Sequence, residues 1–220
     1  MPEILIQYQA EILNAIGETF VMVGVSILAA ILIGLPVGTI LFLCRKDEML
    51  ENKLVFSALN LVVNIIRSFP FLLLVVFLIP FTRFLIGTAI GTAAATIPLS
   101  IIAIAHYSRL VEQSLVDVPK GVMEAAISMG ASVQEVIFKF LYVEARSGLV
   151  LGLTTSIISF ISYSTIMGVV GGGGIGDFAI RYGYQQFKTD LMMYMIIIMV
   201  IIVQLIQFIG TTVSRKIDKR

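Results

Sequence analysis

The sequence predicts an all-α integral membrane protein, a single transmembrane domain over residues 1–220 with five membrane-spanning helices. Three observations predict this class. First, 58% of the residues are hydrophobic and only 13% are charged, about half of the roughly 25% that a soluble globular chain carries. Second, uncharged runs longer than the about 20 residues that a helix needs to cross hydrocarbon recur along the chain. Third, basic residues concentrate in alternate loops between these runs.

Five segments of the chain are long and apolar enough to be spans. Four are uninterrupted uncharged runs, and the fifth, residues 54–82, is interrupted only by Arg67. An odd number of spans places the two termini on opposite sides of the membrane. We therefore predict membrane-spanning helices near residues 20–43, 57–81, 85–108, 148–168 and 191–213.

The loops between these spans predict the orientation of the chain. With Arg67 set aside, eleven lysines and arginines fall on one side of the membrane and three on the other. The richer side includes the carboxyl-terminal tail, which ends in Lys219 and Arg220. Cytoplasmic loops accumulate positive charge. The amino terminus is therefore predicted to lie outside the cell membrane and the carboxyl terminus in the cytoplasm.

The composition excludes several classes of function. The formal net charge is +1, and the basic residues are spread over the loops rather than along one stripe, so nucleic acid is not an expected partner. The single cysteine, Cys44, permits no internal disulfide and belongs to no metal-ligand set. The sequence contains no phosphate-binding G-x-x-x-x-G-K-[ST] motif and no candidate catalytic set. We expect neither catalysis nor a metal or cofactor bound by this chain.

A glycine-rich stretch, VVGGGGIGDF at residues 169–178, contains the spacing G-x-G-x-x-G. That pattern binds dinucleotides only within a βαβ unit, and none surrounds it here. The spacing of Gly168, Gly172 and Gly176 is instead the small-xxx-small pattern by which membrane helices pack closely. Close packing beside a transport pathway, at the outer end of the fourth span, is one interpretation and a plain loop is the other. The candidate packing and outer-loop residues are Gly168, Gly171, Gly172, Gly173, Gly174 and Gly176.

The segment between the third and fourth spans, VDVPKGVMEAAISMGASVQEVIFKF, predicts two short helices. Asp117 is a candidate N-cap and Pro119 suits a first turn. The first helix then runs to Met129, with Gly130 as its left-handed stop. Ser132 and Glu135 follow with the spacing of a capping box, which predicts the start of a second helix.

The surface of the first of these helices suggests a partner. Val122, Ala125, Ala126 and Met129 are expected to be exposed, with few charges among them. A surface of this kind suits a helix that enters a groove on another protein. The alternative is that the helix packs on its own membrane domain.

Residues Glu124-Ala125-Ala126, followed after three residues by Gly130, resemble the EAA loop of the permease subunits of binding-protein-dependent ABC importers. The position between two spans, on the positive side, also agrees. The resemblance implies the type I importer permease fold and a coupling loop over about 112–146 that docks on a cytoplasmic ATPase and transmits its closure. One departure is Val143, which stands where the family usually has a proline. The docking residues that the resemblance implies are Pro119, Glu124, Ala125, Ala126 and Gly130.

Further stretches resemble the homodimeric, five-span branch of this family that imports methionine: NIIRSFPF (64–71), IPFTR (79–83), YS (163–164) and GGGGIG (171–176). The resemblance implies a bacterial cell-membrane protein with a second copy, two ATPase subunits that bind ATP, and an external substrate-binding protein as partners. Methionine is implied by resemblance alone, and a permease for polar amino acids is the nearest alternative. A stand-alone channel or ion-coupled carrier is the alternative of another class, although no Asp or Glu lies within the five predicted spans.

A candidate gate lies in the fourth span. Tyr163 and Ser164 form a polar patch with Thr165, and Ile166 and Met167 follow as an apolar constriction. Pores close by dewetting at such constrictions. The alternative is that the hydroxyls bond to carbonyls one turn back within the helix.

Arg67 is the one charge within a predicted span, and a charge at the bilayer centre costs about 2.5–3.5 kcal/mol on insertion scales. It lies at cytoplasmic depth if residues 54–63 run along the membrane interface, with its stem reaching to water. Alternatively it faces the pathway and binds a carboxylate or carbonyls of the second copy. In either case Pro70 is expected to kink the helix, and Pro98 to kink the third span.

Overall fold

The computed structural model describes residues 2–218. Met1 lies outside this range, as do Lys219 and Arg220 of the predicted basic tail. Between residues 2 and 218 the chain is almost entirely helical and forms no strand. The helices are α1 (Pro2–Gln7), α2 (Gln9–Ala29), α3 (Leu35–Leu43), α4 (Lys53–Ser68), α5 (Phe71–Phe77), α6 (Ile79–Ile86), α7 (Thr92–Val116), α8 (Lys120–Ser128), α9 (Val133–Glu135), α10 (Tyr142–Val169), α11 (Gly174–Phe178) and α12 (Thr189–Ile217).

Two π-helical segments, Ala30–Gly34 and Val136–Leu141, each join the helices on either side without a break, and a third, Ala179–Gln185, continues α11. Four continuous helices are long and apolar enough to cross a membrane: Gln9–Leu43, Thr92–Val116, Val133–Val169 and Thr189–Ile217. The bent pair α4–α5 is a fifth candidate. The rod from Gln9 to Leu43 has 35 residues, about 52 Å at 1.5 Å per residue. The hydrocarbon core is about 30 Å thick, so this helix is longer than one membrane crossing requires. It begins eleven residues before the predicted span of residues 20–43.

The two prolines expected to kink spans behave differently. At Pro70 the chain bends by 105° between α4 and α5, because Phe69 before the proline is extended, with ψ 132°, as a residue preceding proline prefers to be. The predicted helix over 57–81 is therefore three shorter helices. Pro98 instead lies inside α7, which continues as one helix on both sides of it, and the expected kink there stays a prediction.

The core of the molecule is built around α7, which packs against α2, α3, α4 and α10. Small residues bring some of these helices very close. A Cβ atom added to Gly38 of α3 would lie 2.7 Å from Val111 Cβ of α7, so only glycine permits that approach. The tight packing of α7 fixes the positions of both candidate sites, one at each of its ends.

We name the two ends of the molecule by their landmarks. The EAA end is where α7 finishes and α8 lies, and the glycine end is where α7 begins and α10 finishes. At the glycine end the Gly91 N–H donates to the Gly171 carbonyl at 2.8 Å. This bond joins the segment before α7 to the glycine-rich stretch.

Candidate functional site

Helix α8 begins two residues later than the sequence predicts. Asp117 is the C-cap of α7, so its prediction as the N-cap of α8 is wrong, because α7 continues to Val116 and leaves no room. Pro119 takes the N-cap position with ψ 130° and α8 begins at Lys120. Gly130 has φ 78°, which confirms the predicted left-handed stop.

The predicted capping box is confirmed at the start of the next helix. The Ser132 hydroxyl accepts from the Glu135 N–H at 3.4 Å, and Glu135 accepts from the Ser132 N–H at 3.0 Å. Lys139 donates to the same carboxylate at 2.8 Å. The hydrogen bonds from Lys139 and Ser132 lower the pKa of Glu135 to about 2. The fixed, ionised carboxylate anchors the start of the continuous helix that runs from Val133 to Val169.

The two faces of α8 have opposite environments. Met123 and Ala126 lie in the core, and Ala126 is 0% exposed. The expectation that Ala126 is exposed is therefore wrong, since this face of α8 packs on the segment Val136–Leu141. The other side is open: Ile127 is 49% and Met129 68% exposed. We call the exposed residues Glu124, Ala125, Ile127 and Met129 the EAA patch.

Val143, in place of the proline common in the resembling family, is exposed on α10. The helix is continuous through it. The entry to this long helix at the EAA end is therefore unbroken.

At the glycine end, α10 and α11 touch through their backbones. A Cβ on Gly176 would lie 2.5 Å from Thr165 Cα, and one on Gly168 would lie 2.8 Å from the Gly176 carbonyl carbon. The Gly172 N–H donates to the Met167 carbonyl at 2.8 Å. The glycines thus allow the chain to turn back tightly on α10.

Three glycines of this stretch, Gly171, Gly173 and Gly174, have φ of 85°, 80° and 86°, in the left-handed region that favours glycine. Two N–H groups of the stretch bond to α2: Glu18 accepts from Gly174 N–H at 2.7 Å, and the Thr19 hydroxyl accepts from Ile175 N–H at 2.9 Å. We call this arrangement the Glu18 latch. Sequence reasoning missed it, because its partners are 156 residues apart.

Beside the Glu18 latch is an open cavity of about 630 Å³. Three carboxylates line it, Glu11, Glu18 and Asp177, together with one cation, Arg181. Arg181 pairs with Asp177 at 2.6 Å. The cavity therefore has an acidic excess.

The predicted gate residues lie together on α10, but their hydroxyls are partly occupied. Ser164 donates to the Ile161 carbonyl at 2.7 Å and Thr165 does so at 3.4 Å. The ring of Tyr163 stacks on Phe71 of α5, with centroids 4.6 Å apart. Of the apolar pair, Met167 is buried and Ile166 half-buried. The gating role of Tyr163, Ser164, Ile166 and Met167 stays a prediction.

A polar cluster around the buried Glu112 joins α4 to α7. Arg109 donates to Glu112 at 2.5 Å, to Asn60 at 2.6 Å and to Asn64 at 2.8 Å. Glu112 also lies 3.8 Å from Arg45. We call these five residues the Arg109 cluster. The i, i+4 spacing of the two asparagines on α4 was the sequence signal that could have revealed it.

Arg67 lies on α4 just beyond the Arg109 cluster and is exposed. Its charge acts on Arg109, Glu112 and Tyr163, and on His106 of α7. The ring of His106 packs edge-on against Phe160, with centroids 5.8 Å apart. His106 lies near the middle of α7, since that helix continues ten residues further to Val116.

Comparison with known proteins places this arrangement in context. Residues 30–220 match the family model described as the inner membrane component of binding-protein-dependent transport systems. A probable D-methionine transport system permease protein, MetI of Vibrio cholerae, is 42% identical over 209 residues, which cover 95% of this chain and 93% of that protein. The methionine import system permease protein MetP of Bacillus subtilis is 43% identical over 210 residues, with 96% and 95% coverage.

Solved structures agree with the sequence matches. A chain from the inward-facing methionine ABC transporter MetNI superimposes with a TM-score of 0.94 at 37% identity, over 97% of this chain and 99% of that one. A chain of an amino acid ABC transporter solved with histidines gives a TM-score of 0.78 at 16% identity, which supports the fold alone. These matches confirm the predicted all-α membrane fold.

Proposed function

Because this chain belongs to the family of inner-membrane components of binding-protein-dependent transport systems, we propose that it is the permease subunit of an ATP-driven methionine importer. The observation that carries this function is the two-faced helix α8. One face is part of the membrane domain's core through Ala126 and Met123, and the other, the EAA patch, is open. Because α8 packs into the membrane domain in this way, a force on its open face is transmitted to the membrane-spanning helices.

In this proposal, the energy for transport is supplied by other subunits. Two separate cytoplasmic subunits bind and hydrolyse ATP, and the chain itself binds no cofactor and performs no catalysis. Each ATPase subunit receives one α8, with Ala125 permitting a close approach and Met129 filling the groove. Pro119 and Gly130 fix where α8 begins and ends. This assignment modifies the predicted docking set, since Ala126 supports α8 from within.

Two copies of the chain form the importer, about an axis normal to the membrane. The EAA end lies in the cytoplasm and the glycine end faces the outside of a bacterial cell, as the eleven-to-three distribution of basic residues favours. The external binding protein docks at the glycine end, on the region that includes residues 171–190. The acidic cavity between α2 and α11 suits a basic side chain of that protein.

Reconstitution tests the function directly. Proteoliposomes are prepared with the permease and its ATPase, ATP is enclosed, the external binding protein is added, and uptake of labelled methionine is measured with each component omitted in turn. We expect uptake to require all of them and to be reduced by unlabelled methionine but not by glutamine or arginine.

Uptake by the permease alone would make the chain a channel or ion-coupled carrier. Uptake of glutamine or arginine in place of methionine, with the same dependence on ATP, would make it a permease for polar amino acids.

A further inference from the structure

Helix α4 is attached to the rest of the chain along one side. Of its 16 residues only Val63 is buried, and it belongs to a small apolar cluster with Leu41 of α3 and Ala105 of α7. On other sides of the helix Leu61 and Val62 are exposed. Since few apolar side chains hold α4 in place, its polar contacts with α7 matter for its position.

Arg109 of α7 makes these polar contacts. Its Nη2 atom donates to the side-chain oxygens of Asn60 at 2.6 Å and Asn64 at 2.8 Å. Its Nη1 atom donates to Glu112, a carboxylate on the same helix that is only 4% exposed. A buried carboxylate needs a cationic partner, so the pair with Glu112 holds the guanidinium where it meets both asparagines. Asn64 also donates to Asn60 at 3.2 Å, which aligns the two amides.

The last two turns of α7 connect Arg109 to α8. The helix ends at Val116, seven residues after Arg109, which is about two turns. Only residues 117–119 separate it from α8. Leu115 at this end of α7 belongs to the same apolar core as Ala126 of α8. A displacement of α8 therefore displaces the end of α7 that carries Arg109.

An open cavity of about 390 Å³ lies beside the Arg109 cluster. Arg109 and Glu112 line it together with Phe56 of α4 and Gln113 and Val116 of α7. The two helices thus leave space between them in the turn of α7 nearest to α8. This space allows α4 and α7 to shift against each other unless the hydrogen bonds of Arg109 hold them together.

At its other end α4 leads to the candidate gate. The chain bends by 105° after Ser68, and α5 begins at Phe71. The ring of Phe71 stacks on Tyr163 of α10 with centroids 4.6 Å apart. A movement of α4 therefore reaches the gate segment of α10 through α5.

We propose that Arg109 is a positioning residue that carries the displacement of α8 to α4, and through α5 to Tyr163. The proposal rests on the proposed function, because the displacement begins in the ATPase subunits. The hydrogen bonds from Arg109 to Asn60 and Asn64 are then required for import but not for ATP hydrolysis. Arginine suits this role, since its planar guanidinium binds several acceptors in a fixed geometry, whereas lysine offers a single point charge.

The ratio of methionine uptake to ATP hydrolysis in proteoliposomes tests this role. Arg109→Gln and the double variant Asn60→Ala/Asn64→Ala break the link from either side, and the double variant leaves the pair of Arg109 with Glu112 intact. Each should lower the ratio about tenfold, as the loss of charge-assisted hydrogen bonds does, while ATP hydrolysis stays at the parent rate. Arg109→Lys keeps the charge beside Glu112 and should retain part of the ratio.

Two exposed residues provide matched controls. Arg83→Gln removes an arginine of α6, and Ser57→Ala removes a polar group three residues before Asn60 on α4. Both variants should import methionine like the parent protein. Co-elution with the ATPase and an unchanged unfolding temperature show that each variant is folded.

Spin labels report the movement itself. In a Cys44→Ser background, a single label is attached at Leu54→Cys of α4 or at Gly121→Cys of α8, both exposed positions. The distance between the labels of the two copies is measured with and without ATP and vanadate. In the parent complex both distances should change on ATP binding. In Arg109→Gln the distance at Gly121 should still change, and the distance at Leu54 should not.

The outcomes separate the two proposals. If the parent complex shows no ATP-dependent methionine uptake, the proposed function fails. If the parent complex imports methionine but either variant keeps the parent ratio, the role of Arg109 is wrong. The same holds if the distance at Leu54 is unchanged in the parent complex or still changes in Arg109→Gln. If uptake and hydrolysis fall in the same proportion, Arg109 only supports the fold, and the importer stands without this link.

Discussion

The two ends of the molecule use glycine in opposite ways. At the glycine end, Gly168 and Gly176 lie against the backbone of neighbouring residues, and an added Cβ would meet atoms at 2.3–2.9 Å. At the EAA end, Gly121 and Gly130 have no atom within 4 Å of such a Cβ. One end is closed by contacts within the chain, and the other keeps open space around its helix.

This difference shows how the backbone of each end is held. The glycine end satisfies its own backbone through the Glu18 latch and the Gly91–Gly171 bond. The EAA end leaves Ile127 and Met129 exposed outside the segments predicted to face lipid. A surface of this kind is explained by a protein partner. The following variants compare the glycine end, which is closed, with the EAA end, which is open.

The largest expected effect is that of Gly176→Ala. The added methyl group would meet the Thr165 backbone, which cannot move away as a flexible side chain would. Overpacking of this kind costs about 3 kcal/mol, which lowers the unfolding temperature of a 220-residue chain by about 6–12 °C. Cys44 is the only cysteine and is buried, so the temperature at which it reacts with a maleimide dye reports unfolding.

Gly121→Ala is the matched control for this experiment, since it places the same methyl group on an open helix. It should leave the unfolding temperature unchanged or raise it slightly. Equal destabilisation by the two variants would contradict the distinction between the closed and open ends.

Ala125→Leu and Ala126→Leu make the same change at an exposed and at a buried position of α8. Ala126 is in the core, so its enlargement should cost roughly 1–3 kcal/mol of stability, measured by the same thiol reaction. Ala125 is exposed, and its variant should unfold like the parent protein but uncouple ATP hydrolysis from methionine uptake. Val143→Leu, which enlarges an exposed side chain at the same end, is the control. Normal transport by Ala125→Leu would remove the EAA patch as the docking surface.

The Glu18 latch provides the next comparison. Glu18→Ala leaves the Gly174 N–H without its acceptor, which costs about 1–3 kcal/mol for a buried donor. The effect should be local: hydrogen exchange at Gly174 and Ile175 should become faster while the EAA end is unaffected. Glu11→Ala removes another carboxylate from the same cavity and is the control. Equal exchange in the two variants would show that the cavity's charge, rather than the hydrogen bond, holds the segment.

The sequence predicted two local signals well because those depend on neighbouring residues. Gly130 as a stop and Ser132 with Glu135 as a capping box are examples. It did not predict which side of α8 is buried, because alanines are small enough for either environment. Contacts between distant segments, such as Glu18 with Gly174, leave no local pattern at all.

The two prolines illustrate the same limit. Pro70 and Pro98 have the same intrinsic effect on a helix, yet only Pro70 breaks one. Pro98 is buried in α7, which packs against several helices, and we infer that this packing keeps the helix continuous. Packing partners far away in sequence thus decide the outcome.

The smallest expected effect separates backbone conformation from packing. Gly130 has φ 78° but open space around it, so Gly130→Ala should cost only the left-handed strain of about 1–2 kcal/mol. Gly130→Asn should cost less, because asparagine tolerates this conformation. At the closed end Gly174→Ala adds a clash with Thr19 and Met22 to the same strain, so its thiol-reaction temperature should fall further than that of Gly130→Ala. Equal losses at the two positions would mean that conformation alone, and not enclosure, distinguishes the glycines of the two ends.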